Sequence, residues 1–329
     1  MKIGKTIENR MKKRTLGQLK LGVSALGLGC MGMSLGYGSF NDKQSIRAIR
    51  HAVEKGVTLL DTADLYGNGH NEELIKQALA GGLRDKVIIA TKCGFVSLGK
   101  VDGSPAHIKK ACDASLKRLG VDVIDLYYLH RADKSVPIED SVGAFADLVR
   151  AGKIRHVGLS EVTVKTLKRA VAVHPITALQ SEYSLWERKP ENGILNACRE
   201  LEIGFVPYCP LGRGFLSGQY RNTTELEQSD FRRILPKFNE QHLEHNIQLI
   251  DKLVLFSKEK NCTPAQLALA WLLAQNETII PIPGTRSIER LNENLGALDI
   301  KLSKDELKEM NQWMLTVGEQ YPPEHNLEV

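Results

Sequence analysis

The chain has 329 residues, 42% of them hydrophobic and 25% charged. That is an ordinary composition for a folded globular protein, and it excludes disordered, collagen-like and disulfide-framework classes. The formal net charge is +5, and the first fourteen residues carry all of it, with Lys2, Lys5, Arg10, Lys12, Lys13 and Arg14 set against Glu8. The remainder is balanced, so no nucleic-acid partner is expected. The basic start lacks the apolar run and cleavage site of a secretory signal. Residues 1–14 therefore read as a basic flexible tail, and 15–329 as a single domain. No apolar stretch reaches the length of a membrane span, so the expectation is a cytoplasmic protein without a membrane partner. Cys30, Cys93, Cys112, Cys198, Cys209 and Cys262 form no C-x-x-C pair and no zinc-like spacing. Reduced thiols and no metal site are expected.

Residues 15–23 open the chain with a hairpin pattern, its turn at residues 16–19. Short apolar runs then follow at 25–29, 57–61, 87–92, 123–130, 154–160, 177–180, 204–208 and 278–282. Runs of this kind suit strands buried on both faces of a parallel sheet. Helical patterns lie between and after them, at 42–55, 70–80, 105–119, 139–151, 163–173, 191–202, 240–275 and 287–298. Ser104-Pro105 places a cap before a proline at the first helical position, and Gly120 ends that helix. Thr263-Pro264 repeats the start signal. Eight strands, each followed by a helix, predict an α/β fold: a (β/α)8 TIM barrel with the N-terminal β-hairpin closing its bottom. The largest insertion falls at 213–239, after the seventh strand.

Gly27-Leu-Gly29-Cys-Met-Gly32 matches the G-x-G-x-x-G outline of a Rossmann dinucleotide site. That loop must open a helix at once, because the pyrophosphate sits on the helix N-terminus. Here glycines continue through Gly36 and Gly38, and no helical pattern starts before Asn41. The candidate acid, Asp61, lies 29 residues past Gly32, where the fingerprint wants about 20. The motif reads instead as a loop above the first strand.

In a barrel, the C-terminal strand ends meet on one face. The second strand ends at Asp61 and feeds Asp61-Thr-Ala-Asp-Leu-Tyr66-Gly67; the third ends at Lys92 and the fourth at His130. Three ionisable groups at the ends of apolar strands, with Tyr66 on the adjoining loop, point to one site. A buried ammonium needs a partner, and Asp61 offers one.

The runs from Asp61 to Gly67, Ala90 to Lys92 and Leu126 to His130 resemble the Asp–Tyr–Lys–His tetrad of the aldo-keto reductases. The likeness spans about residues 14–312 and is nearest to the perakine reductase-like plant and bacterial group. It implies an NADPH-dependent oxidoreductase that reduces aldehydes and ketones, with Tyr66, Lys92, Asp61 and His130 catalytic. Hydride reaches the carbonyl carbon while Tyr66 protonates the oxygen. Lys92, held by Asp61, is expected to lower the phenol's pKa from about 10. His130 is expected to align the carbonyl.

The same resemblance assigns the cofactor site. Ser160 and Gln180 would hold the carboxamide, and Tyr208 would stack on the nicotinamide. Glu161 stands where many relatives have Asn. Leu211, Gly212, Arg213 and Gly214 would line the pyrophosphate, together with Gly284 and Thr285. Arg286 and Arg290 would engage the 2′-phosphate, and Glu293 and Asn294 the adenine. Met31, Met33, Leu65, Phe95, Arg131 and Trp186 would form the mouth of the substrate pocket. Two rivals remain: a slowly turning cofactor-sensing subunit like those of potassium channels, and a Schiff-base lyase using Lys92.

Overall fold

The structure, a computed structural model, describes residues 11–322 apart from 98, 225 and 229. It opens with an antiparallel hairpin, β1 (Lys13–Leu16) and β2 (Leu21–Ser24). Seven parallel strands follow: β3 (Leu28–Gly29), β4 (Leu59–Asp61), β5 (Ile88–Cys93), β8 (Ile124–Leu129), β9 (Ile154–Ser160), β10 (Ala178–Glu182) and β11 (Gly204–Tyr208). They are neighbours in that order. An eighth segment, residues 278–284, bridges β11 through Phe205 and Ile279 and β3 through Gly29 and Gly284. The barrel is thus nearly closed, as the alternation of runs predicts.

The eighth run is not a regular strand, and its prolines explain why. Ile280 and Ile282 donate to the Phe205 and Pro207 carbonyls on one side. On the other side Pro281 and Pro283 accept from Gly27 and Gly29. Lacking N–H groups, they cannot donate back. The ladder towards β3 is therefore half made.

The helices are α1 (Asp42–Glu54), α2 (His70–Ala78), α3 (Pro105–Leu119), α4 (Ile138–Arg150), α5 (Val164–Val171), α6 (Ile194–Glu200), α7 (Glu240–Glu259), α8 (Pro264–Gln275), α9 (Ile288–Leu295) and α10 (Lys304–Asn311). Ser104 caps α3 by accepting from the His107 N–H, and Gly120 ends it with φ +65°. The pattern at 240–275 is two helices, because Thr263 and Gln266 form a capping box that starts α8 afresh. Neither α10 nor the small hairpin of β6 (Phe95–Ser97) and β7 (Lys100–Val101) has a counterpart among the expected elements.

Two apolar layers hold the barrel. Leu16, Val23, Leu59, Leu126, Tyr128 and Val206 belong to the cluster inside it. A larger cluster packs strands against helices. Leu16 plugs the floor so closely that a Cβ on Gly204 would stand 2.2 Å from its side chain. Of the tail expected at residues 1–14, Lys13 and Arg14 lie in β1, and residues 1–10 fall outside the described residues. Arg14 is buried and donates to the carbonyls of Asn276 (3.0 Å), Ile279 (2.7 Å) and Leu273 (2.7 Å). It ties the hairpin to the start of the eighth run.

Arg14→Ala should therefore lower stability by about 3 kcal/mol, because it leaves buried carbonyls without donors. Chemical denaturation would check this. A loss under about 1 kcal/mol would mean that water replaces the guanidinium.

Candidate active site

Asp61 and Lys92 come together because β4 and β5 are adjacent and parallel, with Asp61 opposite Ala90 in the register. Lys92 is fully buried. Its Nζ donates to Asp61 Oδ1 at 2.5 Å, to the Thr62 carbonyl at 2.8 Å and to Tyr66 Oη at 3.4 Å. The other Asp61 oxygen accepts from Gln180 Nε2 at 2.7 Å. Every strong acceptor near the ammonium is engaged, which offsets the cost of desolvating both charges.

Tyr66 reaches this place through a stapled loop. Asn71 Nδ2 donates to the Cys30 carbonyl (2.9 Å) and to Ser34 Oγ (2.8 Å), while its oxygen accepts from Thr62 Oγ1 (2.6 Å). The loops after β3 and β4 are thereby locked together. Gly67 turns the chain at φ +61°, where a Cβ would press on Ser34 and His70. His130 follows β8, with its ring edge-on to Tyr66 (centroids 5.8 Å apart) and to Phe95 (4.8 Å). The four expected tetrad residues thus share one end of the barrel.

The electrostatics depart from expectation at Tyr66. Burial and then Asp61 push its phenol well above the ordinary value, while Arg131 pulls it down. Burial lowers Lys92, against the opposing pull of Asp61. The expected lowering of Tyr66 by Lys92 does not prevail, because burial costs the phenolate more than the neighbouring cations return. Burial, then Lys92 and Arg131, hold His130 far below the usual histidine value, so the ring is neutral. Its Nδ1 is buried without a hydrogen-bond partner. Just behind the tetrad, burial and then Glu72 push Asp64 up to about 7.

Ser160 ends β9 and pairs with Gln180, which lies inside β10 rather than at its end, since that strand continues to Glu182. Ser160 Oγ accepts from Arg131 Nη1 at 3.1 Å, and Gln180 commits its amide nitrogen to Asp61. Glu161 has φ +51° and accepts from the Glu182 N–H at 2.9 Å. Tyr208 Oη meets Tyr321 Oη at 3.0 Å and accepts from Gln320 Nε2 at 3.0 Å. Arg213 has a partner of its own: it is buried against Glu182 at 2.6 Å, so its charge is internal rather than offered to a phosphate. The N–H groups of Gly212 and Gly214 close turns on the Cys209 and Leu211 carbonyls. Arg286 is half-buried and donates to the Ser39 carbonyl and, at 3.1 Å, to that of Tyr37. Ser287 caps α9, which carries Arg290, Glu293 and Asn294. Arg290 is exposed and donates to Gln219 at 3.3 Å; Asn294 is buried, and the Glu293 carbonyl accepts from Gln266. Gly284 and Thr285 lie between the eighth run and this helix.

Two expected pocket residues sit elsewhere. Trp186 is buried in the core, stacked on Phe238 with centroids 5.3 Å apart and tilted against Phe215. Met33 is likewise buried in the core cluster. Their apolar character marks packing rather than lining. Met31, Leu65, Phe95 and Arg131 remain partly accessible. Glu182, Gln320 and Tyr321 are absent from the expected set. Glu182 lies past the run at 177–180, behind Gln180 and Ser181, and neither it nor the two C-terminal residues carry a signal in the sequence. Among the described residues no cluster of His, Cys, Asp and Glu could hold a metal ion, and no helix is long and apolar enough to cross a membrane.

Residues 25–314 match the sequence model of the Aldo/keto reductase family. The chain is 30% identical to a thermostable aldo-keto reductase solved with the inhibitor epalrestat, covering 92% of this chain and 99% of that one, with a TM-score of 0.73. It is 28% identical to the glycerol dehydrogenase of Gluconobacter oxydans, covering 91% and 94%, with a TM-score of 0.83. An aldo-keto reductase from Klebsiella pneumoniae in complex with NADPH is 30% identical, covering 92% and 95%, with a TM-score of 0.71.

His130 should stay uncharged well into acid. In the unfolded chain it takes up a proton below about pH 6.5, but in the folded site it does not. Its burial therefore costs stability progressively as pH falls below that value. In a proton NMR titration, the imidazole signal missing from His130→Gln should hold still between about pH 8 and about pH 5. A midpoint near the ordinary histidine value would contradict its placement.

Proposed function

The chain belongs to the aldo/keto reductase family, and we propose that it reduces aldehydes and ketones to alcohols with NADPH, using Tyr66 as the general acid. The observation that carries this reading is a single buried ammonium, Lys92, in contact with both the Asp61 carboxylate and the Tyr66 hydroxyl. A structural ion pair has no need of the phenol. Within the family we place the chain with the perakine reductase-like group, on its runs at 27–34, 114–131, 158–161 and 210–218.

The donors at the strand ends fit a nicotinamide dinucleotide. Ser160 has an accepted hydrogen bond from Arg131, which leaves its own O–H to donate. Gln180 spends its nitrogen on Asp61, which leaves its carbonyl oxygen to accept. One donor and one acceptor side by side match a carboxamide. In this reading Tyr208 packs on the ring, residues 211–214 with Gly284 and Thr285 surround the pyrophosphate, and Arg286 and Arg290 face the 2′-phosphate. Glu293 and Asn294 face the adenine. The bound cofactor supplies the hydride.

The protein's part is proton delivery and alignment. Burial keeps Tyr66 protonated and ready to donate as negative charge grows on the substrate oxygen. Lys92, 3.4 Å from the hydroxyl, stabilises the phenolate left behind. Asp61 holds Lys92 in line. Neutral His130 donates to the same oxygen through Nε2, since a proton on the partnerless Nδ1 would be buried unsatisfied. Met31, Leu65 and Phe95 give the mouth an apolar wall, and Arg131 one cation, which suits aromatic or medium-chain carbonyl compounds.

Tyr66→Phe should lower kcat by about 10²–10⁴-fold while leaving NADPH affinity nearly intact, as steady-state rates and a binding titration would read. More than about a tenth of the wild-type rate, on a substrate limited by chemistry, would remove Tyr66 from this role. Lys92→Met should do comparable damage.

NADPH should be preferred over NADH. A guanidinium forks onto a phosphate dianion but gains little from a hydroxyl. Arg286→Ala should weaken NADPH by about ten- to a hundredfold and leave NADH nearly unchanged. Equal losses for both cofactors would mean that Arg286 serves only the Tyr37 and Ser39 carbonyls it already holds.

A further inference from the structure

One buried ion pair at the barrel mouth has no task in this reading. Glu182 ends β10 and Arg213 stands in the loop after β11, and both side chains are 4% exposed. Arg213 Nη2 lies 2.6 Å from Glu182 Oε2. The same carboxylate oxygen accepts from Gln320 Nε2 at 2.8 Å. Tyr321 Oη lies 3.0 Å from Arg213 Nη2.

The backbone around Arg213 gives such a pair something to hold. Gly212, Arg213 and Gly214 are consecutive residues at φ +54°, +54° and +98°. Glycine tolerates that region, whereas a residue with a side chain adopts it less readily. Here the side chain supplies the hold. Glu182 grips the guanidinium, which lies over the rings of Tyr321 (5.4 Å) and Phe231 (5.7 Å). The Arg213 carbonyl accepts from Arg232 Nη1 at 3.0 Å, and Arg232 forks onto Asp230 at 2.9 and 2.7 Å. The glycine loop is thus a set of fixed turns between two arginine–carboxylate pairs.

We infer that Glu182 is a positioning residue for the cofactor: it fixes residues 211–214 through Arg213 and ties them to the C-terminal segment through Gln320. This rests on the reading of residues 211–214 as the pyrophosphate loop. Glu182 touches no part of the cofactor. It acts by keeping Arg213 left-handed, so that the loop is already shaped when the cofactor arrives.

The test is NADPH binding to the full chain, read by intrinsic fluorescence. Glu182→Gln should raise the Kd by about tenfold, the low end for a lost charged hydrogen bond, with kcat at saturating NADPH within about twofold. The double variant Glu182→Gln, Arg213→Met removes both charges and should recover the melting temperature. It should not recover NADPH affinity, because the fork that shapes the loop is gone. A pair that served only stability would restore both, and that result overturns the inference. So does an unchanged Kd in Glu182→Gln. Should that variant fail to fold, Arg213→Lys keeps the charge but loses the fork; the same weakening is expected, and an unchanged Kd overturns the inference. A wild type that binds no NADPH sinks the proposed function instead. Amide hydrogen exchange across residues 211–216 then still decides the matter in the cofactor-free protein. It should quicken about tenfold in Glu182→Gln, and unchanged protection overturns the inference.

Discussion

A charged lysine with no access to water is the constraint around which the upper half of this barrel is arranged. Removing an ammonium from water costs several kcal/mol, and only a matched set of acceptors recovers it. The set here draws on three strands. Lys92 comes from β5, Asp61 and Thr62 from the end of β4, and Gln180 from β10 reaches across the barrel to the second Asp61 oxygen. Displacing any one of these strand ends would leave a buried charge short of a partner. The same ammonium also contacts the Tyr66 hydroxyl.

The loops above that centre are held by a different device. Side chains reach from one loop to the backbone of another. Asn71 joins the loops after β3 and β4. Arg286 joins the segment after the eighth run to residues 37 and 39. Lys237 donates to the Trp186 carbonyl at 3.1 Å and to Thr316 at 2.9 Å, and Asn246 bonds both the N–H and the carbonyl of Val317. Those last contacts lead the chain after α10 back to the mouth, where Gln320 and Tyr321 settle on Glu182, Tyr208 and Arg213. Such ties order long connections without a core of their own.

Much of this was legible in the sequence, for local reasons. Apolar runs closed by Asp61, Lys92 and His130 name both the strands and the residues that gather at one end of the barrel, because the C-terminal ends of parallel strands meet there. Caps at Ser104 and Thr263 name helix starts. Other features depend on contacts far along the chain. Arg14 looks like tail until Leu273, Asn276 and Ile279 are placed beside it. Trp186 and Met33 look like pocket walls, since composition does not say which side of a loop packs inward. Arg213 looks like part of a pyrophosphate loop, and nothing nearby announces that Glu182 holds its side chain. The direction in which the phenol shifts is hidden from the sequence for a related reason. The cation beside Tyr66 was visible, but the burial that outweighs it was not.

The half-made ladder at Pro281 and Pro283 bears on motion. Around the rest of the cylinder neighbouring strands exchange hydrogen bonds in both directions. At this seam they run one way only, from Gly27 and Gly29 to the proline carbonyls. A closed sheet resists splaying at every joint, so thermal opening concentrates at the joint with fewest bonds. The seam ends at Gly29 and Gly284, directly beneath the segment through which Arg286 grips residues 37 and 39. The barrel therefore has a built-in line of give beside the Arg286 segment, while the strands that lead to Asp61, Lys92 and His130 stay stitched on both edges.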